Sequence, residues 1–339
     1  PEWSRLRKEY AFEHLGLAFS VPSHLAVLLR PEIASALFDE ALFDFDQVLS
    51  MERRQVLRSF HLPATLSFEG DFRVRSFVAP NLIARIPGSE KRLGREAVVV
   101  SAHYDHLGRG PGVNGDTIYN GVIDNAIGSA GLLELARTLM AAPERSRRTI
   151  ILLFTTAEEE GNLGAQFFLD HPPVPLSKIV ANINIDGLAF RDRFTDVVGI
   201  GAELSDLGRH LRDVAALHGL ELSRPVELAV GHEAFERSEQ VVFAEAGIPA
   251  ILINEGLAWR HHSRQEAFEM IVEWFTTRYH SPSDDLEQPL DFSASRDHLA
   301  LITALVMAVA DTDRAPEWKP GVPYAYRRLL TLAEEGGTR

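Results

Sequence analysis

The sequence predicts an α/β fold with a mixed, mostly parallel central sheet, helices on both faces and a small N-terminal appendage. Short apolar runs rich in Val and Ile occur at residues 98–102, 149–155, 179–185 and 250–253, the pattern of strands buried on both faces. Between them lie amphipathic stretches, and strands alternating with helices build a sheet covered on both sides. At 339 residues and 45% hydrophobic content, the chain can bury a full-sized core.

Residues 1–70 read as the appendage, with helix-like stretches at 23–42 and 45–60 and no carboxylate placed at a strand end. The main domain spans 71–312. Its strand at 98–102 ends at His103, and a helix at 125–140 follows, where Ile127, Ala130, Leu133, Ala136 and Met140 fall three or four apart. The strand at 149–155 leads into a helix at 161–169, and the strand at 179–185 precedes a helix at 206–218. After the strand at 250–253 comes the most apolar helix candidate, 299–310, bounded by His298 and Asp311. It is shorter than a membrane span requires. A C-terminal extension, 313–339, carries Pro316, Pro320 and Pro323, then a helix at 324–335. No internal repeat or low-complexity tract is evident.

Acids outnumber bases 48 to 34, giving a net charge of −14. That argues against nucleic acid and against an anionic membrane surface, because phosphates are held by Lys and Arg. Cysteine is absent, which excludes disulfides, thiolate metal sites and cysteine nucleophiles, so any metal must sit on His, Asp and Glu. The first residue is Pro1 rather than Met, which reads as a processed or trimmed piece of a longer chain.

Ligands of such sheets bind where the strands end at their carboxyl edges. Those positions are His103 after the first run, Glu158 and Glu159 after the second, and Asp186 after the third. The segments that carry them are SAHYDHLG (101–108), GVIDNAIGSAG (121–131), TTAEEEGNLGAQ (155–166) and NINIDG (182–187), with RYHSPSDDL (278–286) far downstream. Hydrolytic zinc takes nitrogen and oxygen ligands and keeps a position open for water, so two histidines and three carboxylates hold two ions only if one carboxylate bridges. Asp124 is the candidate bridge, since it precedes a helix start and Gly121 and Gly128 permit close backbone approach. The pair Glu158 and Glu159 invites separate roles, one on metal and one toward the attacking water. Asp105 is placed to accept the second ring N–H of His103 and fix its tautomer.

Each feature has a plainer reading. A run of three Glu is usually a solvated helix start, an Asp before a helix is usually its cap, His103 alone reads as a satisfied core histidine, and Asp186 with Gly187 reads as a turn. The joint occurrence of all of them at strand ends favours a metal site. His106 reads as packing or bonding a neighbouring loop rather than binding zinc. His261 and His262, beside Arg260 and Arg264, read as a solvated loop or lid. His232 has no assigned role, and Asp284 and Asp285 either orient His280 or form an exposed turn.

These segments, over residues 81–286, resemble the co-catalytic dizinc aminopeptidases of the bacterial leucyl aminopeptidase family. Those are clan MH metallopeptidases, related to glutamate carboxypeptidase II and glutaminyl cyclase. The family order is His-x-Asp, an Asp-Asp or Asp-Asn before a helix, Ala-Glu-Glu-x-Gly, a lone strand-end Asp, then a late His before Ser or Thr, and all five elements occur here in that order. The resemblance implies the zinc exopeptidase, phosphorylase/hydrolase-like fold and two Zn2+ per chain. His103 and Asp186 would hold one ion, Glu159 and His280 the other, and Asp124 would bridge. It further implies Glu158 as general base, a cis peptide between Asp124 and Asn125, and Tyr279 as hydrogen-bond donor to the oxyanion. One departure is Arg237-Ser238-Glu239-Gln240, where relatives usually read Arg-Ser-Asp-His; it bears on substrate preference or loop packing. Ser281 stands where Thr is commoner. Residues 20–42 loosely resemble the end of a protease-associated insert.

The function expected is zinc-dependent removal of N-terminal residues from peptide or aminoacyl substrates, a metallopeptidase activity outside the cytoplasm, periplasmic or secreted. The competing expectations are glutaminyl cyclase-like acyl transfer with one zinc, and a scaffold that kept the fold without chemistry.

Overall fold

The computed structural model describes residues 12–18, 29–67, 69, 71, 73–224 and 231–336. The chain divides into two compact units, one containing residues 16–78 and the other containing 11–15 with 79–339.

In the first unit, helix α1 (Phe45–Arg53) starts at a capping box in which the Asp44 side chain accepts from the backbone of Gln47 and the Gln47 side chain answers to that of Asp44. It stops well short of the predicted 60, because Gln55 adopts positive φ, a conformation that ends helices. The described part of the predicted helix at 23–42 holds only single turns at Pro31–Ala34 and Ser35–Phe38; residues 19–28, which include the start of the insert-like segment 20–42, lie outside the described residues. Phe38 packs on Phe45 and Phe60, and Phe43 meets Phe60 edge-on.

The second unit is built on a seven-stranded sheet. Its strands are β1 (Leu82–Ile86), β2 (Ala97–His103), β5 (Thr149–Thr155), β6 (Ile179–Asn184), β7 (Asp196–Ile200), β8 (Glu221–Ser223) and β9 (Ala250–Glu255), in the order β1-β5-β2-β6-β9-β7-β8. A separate hairpin pairs β3 (Gly108–Val113) with β4 (Asp116–Tyr119). The centre β5-β2-β6-β9 is parallel, while β1 and β7 join it antiparallel. The four predicted strands are these four central ones. Sequence missed the outer strands: β1 is largely exposed, β7 is short and interrupted by polar and small residues, and the edge strand β8 has three residues.

Alternation along each central strand feeds two cores. Val98, Val100, Ile150 and Leu152 face helices α2 (Ile127–Ala141), α4 (Leu207–Leu217), α6 (Arg264–Thr277) and α7 (Phe292–Asp311). Val99, Ile151 and Leu153 face the opposite side, with Phe168 of α3 (Leu163–Asp170) and Val242 and Phe243 of α5 (Gln240–Glu245). Helix α8 (Pro323–Gly336) realises the helix predicted at 324–335. α7 is longer than the apolar run 299–310; among the described residues it is the helix long and apolar enough to cross a bilayer by length and composition. Here Leu301, Ile302, Leu305, Val306 and Val309 are fully buried in the core.

Candidate metal centre

The parallel strands deliver their ends to one edge of the sheet. His103 is the last residue of β2 and is 1% exposed. Its Nε2 lies 3.3 Å from Asp124 Oδ1 and 3.3 Å from Asp186 Oδ1. Asp186 follows β6 and is seated by the turn at Gly187. On the other side, His280 Nε2 lies 3.2 Å from Asp124 Oδ2 and 3.1 Å from Glu159 Oε2. The two oxygens of Asp124 therefore face different histidines, each of which faces a further carboxylate.

Asp124 reaches this position through a distorted turn, Val122–Ala126, whose Asp124–Asn125 peptide is cis. Asn125 Nδ2 donates to the carbonyl of Ile185 (2.8 Å), and its Oδ1 accepts from the backbone of Gly128 (3.1 Å) and Gly187 (2.9 Å). The turn carrying Asp124 is thereby tied to the strand end carrying Asp186. Asp284, fully buried, accepts from the backbone nitrogens of Ile123 and Asp124. It therefore anchors the turn of Asp124 rather than forming an exposed turn. Asp285 caps the backbone of Glu287.

Burial on its own lowers the pKa of His103, but the carboxylates of Asp105, Asp124 and Asp186 outweigh it and raise it well above its ordinary value. Burial likewise opposes protonation of His280, yet Asp124 and Glu159 push it up to about 10. The carboxyl of Asp124, penalised by burial, is held far below the usual range by His103 and His280. For Glu159, burial is again outweighed, here by His106 and His280, and the pKa falls. Glu158 differs: burial raises its pKa well above the ordinary carboxylate value, with Asp186, Glu159 and Glu239 adding to the shift against the opposing pull of His103. Two adjacent glutamates thus sit in opposite electrostatic environments, the pattern of groups with different tasks.

The donor set fits a cation. His103, Asp124 and Glu159 each place a ligand atom within 4.8 Å of the others. His280 Nε2 is buried and makes no hydrogen bond of acceptable geometry despite its two carboxylate neighbours. A buried imidazole nitrogen turned toward two carboxylate oxygens without a hydrogen bond is one that a metal ion would satisfy, and nitrogen with oxygen donors suits zinc.

Other predicted residues are placed as follows. Tyr279 stacks on His280 with ring centroids 3.9 Å apart and packs against Trp274 and Phe275; burial, then the charges of Asp124 and Glu159, keep its hydroxyl protonated. Asp105 departs from expectation: the ring nitrogen Nδ1 of His103 is 3.2 Å from its backbone carbonyl and 3.7 Å from its carboxylate. That carboxylate instead accepts from the backbone of Glu158 (3.2 Å) and Glu159 (3.5 Å). The main chain serves the histidine and the side chain fixes the glutamate loop. His261 and His262 are not simply a solvated loop, since both Nδ1 atoms bond the buried carboxylate of Asp192 at 2.7 and 2.9 Å. Burial opposes the charge of Asp192, but these histidines bring its pKa down to about 2. The side chain of His232 lies outside the described residues.

His106 bonds a neighbouring loop, as its sequence reading has it, and the partner is a candidate ligand: its Nδ1 lies 2.6 Å from Glu159 Oε1. The available signal was its spacing, three residues beyond His103 on the same loop. Within the departure at 237–240, Ser238, Glu239 and Gln240 form a buried polar layer beneath the site. Thr155 Oγ1 donates to Glu239, and Asn184 Nδ2 donates to Ser238 Oγ (2.8 Å) and Gln240 Oε1 (3.0 Å). Ser101 Oγ donates to Asn184 Oδ1 at 2.8 Å. The segment thus braces the ends of β2, β5 and β6 from below.

A profile of peptidase family M28 matches residues 81–306. Aminopeptidase YwaD of Bacillus subtilis is 28% identical over 231 residues, which are 66% of this chain and 43% of that protein. A vacuolar membrane protease of Clavispora lusitaniae is 37% identical over 114 residues, 34% of this chain and 10% of that protein. The LapA aminopeptidase structure from Legionella pneumophila aligns with a TM-score of 0.50 at 20% identity, over 69% of this chain and 56% of that one. A peptidase M28 precursor from Shewanella amazonensis gives 0.50 at 20%, over 71% and 46%; these two likenesses show a shared fold. The chain spans 43% of the length of YwaD and 56% of that of LapA. With the profile covering its sheet and all five strand-end and loop segments of the candidate centre, the chain belongs to peptidase family M28.

Proposed function

We propose that the chain is a zinc-dependent exopeptidase of the aminopeptidase type, holding two zinc ions bridged by Asp124. One observation carries this reading: the two oxygens of Asp124 face separate histidine–carboxylate pairs, His103 with Asp186 and His280 with Glu159. The name of the relative aminopeptidase YwaD supports the choice of peptide chemistry and of the amino end, and the nitrogen and oxygen donor set supports zinc.

Zinc ions at these positions would supply Lewis acidity and lower the pKa of the attacking water. The chain's own residues do the rest. The carboxylate of Glu158 takes the proton as the water attacks the peptide carbon and then passes it to the leaving amine. Tyr279, a protonated phenol stacked on His280, donates to the carbonyl oxygen as it gains negative charge.

The test is to purify the protein with zinc, measure metal per chain, and follow amino-acid release from free and N-blocked aminoacyl and peptide substrates. The expected result is about two zincs, cleavage that requires a free N-terminus, and a Glu158→Gln variant that loses about 10²–10⁴-fold in kcat while keeping its metal. One zinc with cyclisation of N-terminal glutamine, or metal without any hydrolysis, would overturn the reading in favour of acyl transfer or a scaffold.

A further inference from the structure

His106 sits on the loop between β2 and the β3–β4 hairpin, with a side chain 7% exposed. Its Nδ1 is 2.6 Å from Glu159 Oε1, while Glu159 Oε2 is the oxygen turned to His280 at 3.1 Å. The two oxygens of Glu159 are thus divided between an imidazole that belongs to neither metal pair and the metal side of the residue. The short contact places the proton on Nδ1, donated to the carboxylate. Nε2 is buried and bonds nothing among the described residues; in that tautomer it is a bare acceptor, less costly than an unpaired N–H. The ring is also given its space by the backbone. Gly121 has φ 64°, and a Cβ there would stand 2.5 Å from His106 Cγ. The ring meets that of His280 edge-on, centroids 5.6 Å apart.

From this arrangement we infer that His106 is a positioning residue: it holds Glu159 by Oε1 so that Oε2 is presented to the metal, and thereby sets the affinity of the position shared by Glu159 and His280. The inference rests on the two-zinc reading above. A carboxylate free to rotate presents either oxygen, or both, and loses preorganisation; outer partners of metal ligands typically govern about 10–100-fold in affinity for this reason. Among the described residues neither His103 nor Asp186 touches His106, and its longer approach to Asp124, at 3.9 Å, is to Oδ2, the oxygen turned to His280; the position shared by His103 and Asp186 is therefore unaffected.

The test is a zinc titration against a chromophoric chelator, resolving the two equivalents, for wild type, His106→Ala, His106→Asn and His106→Gln. An Asn amide nitrogen can occupy the place of Nδ1, whereas that of Gln reaches toward Nε2. The expected result is that His106→Ala and His106→Gln weaken one equivalent about 10–100-fold and leave the other unchanged. His106→Asn returns that equivalent to within a few-fold of wild type, and all variants still reach two zincs at saturation. If all variants titrate as wild type, the histidine is mere filler and the inference fails. It also fails if both equivalents weaken together, or if saturation stops at one zinc, which would make His106 a ligand. Should His106→Ala not fold, the Asn and Gln pair alone decides. The wild-type stoichiometry reports separately on the two-zinc reading: fewer than two equivalents there would refute that reading, whatever the variants do.

Discussion

The carboxylate of Asp284 holds the backbone of Asp124: its Oδ2 accepts the Asp124 N–H at 3.1 Å, and its two oxygens accept that of Ile123 at 3.0 and 3.1 Å. Gln288 Nε2 donates to the same group at 2.6 Å. A fully buried acid from the C-terminal part of the domain therefore fixes the proposed bridging residue 160 positions earlier. Asp284→Asn turns one acceptor into a donor facing donors. The expected cost is about 1–3 kcal/mol in unfolding free energy, with weaker retention of zinc. Denaturant unfolding and a zinc titration check it; unchanged stability and unchanged metal affinity would show that the turn holds itself.

Gly128→Ala tests the second tether. A Cβ at Gly128 would stand 2.0 Å from Asn125 Oδ1, the atom that accepts from Gly128 and Gly187. Relief requires Asn125 to move and give up the link between the Asp124 turn and the Asp186 strand end. The expected outcome is a loss of about 1–3 kcal/mol and a drop in activity larger than that loss of stability explains, read from kcat/KM at a temperature where the variant is fully folded.

Arg148 gives a prediction remote from the site. Its side chain is 1% exposed, its Nε is 2.8 Å from Glu96, and its Nη1 donates to the carbonyls of Val309 and Thr312. It clamps the end of α7 to the start of β5. Removing the partner by Glu96→Gln leaves a buried guanidinium without its countercharge. Because Glu96 is 24% exposed, the expected cost lies near the low end for buried pairs, about 3 kcal/mol, with zinc affinity unchanged. A chemical denaturation curve in 1 M salt should show little screening of this loss.

Stability should also fall with acid through His298. Burial holds its pKa down to about 4, and its Nδ1 accepts the N–H of Ala189 at 3.0 Å. The folded state keeps this ring neutral, while the unfolded chain takes up a proton near pH 6.5. The unfolded state binds more protons between those values, so stability is full above about pH 6.5 and declines as pH falls toward about 4, by roughly 3 kcal/mol for this group. His298→Gln should flatten that part of the stability–pH curve; a slope identical to wild type would refute the assignment.

The parallel core was legible because strands buried on both faces are continuous apolar runs, and residues 98–102, 149–155, 179–185 and 250–253 are such runs. The edges were not, since β1 pairs on one side only and is exposed over four of its five residues. The appendage helix predicted over 45–60 ends at Arg53, because local pattern does not reveal where a left-handed residue such as Gln55 stops it.

The site divides in the same way. By itself, the sequence determined the residue types and their order: a histidine and carboxylates at successive parallel strand ends must converge on one edge, because parallel strands all point the same way. Its motif order also matches the family of the chain. Only the tertiary structure decided which oxygen faces which nitrogen. Asp284 against Asp124, His106 against Glu159, and the carbonyl rather than the carboxylate of Asp105 against His103 are pairings between loops. Loops carry no periodicity, so their side-chain directions follow from the packing beneath them, here the buried layer of Ser101, Thr155, Asn184, Ser238, Glu239 and Gln240.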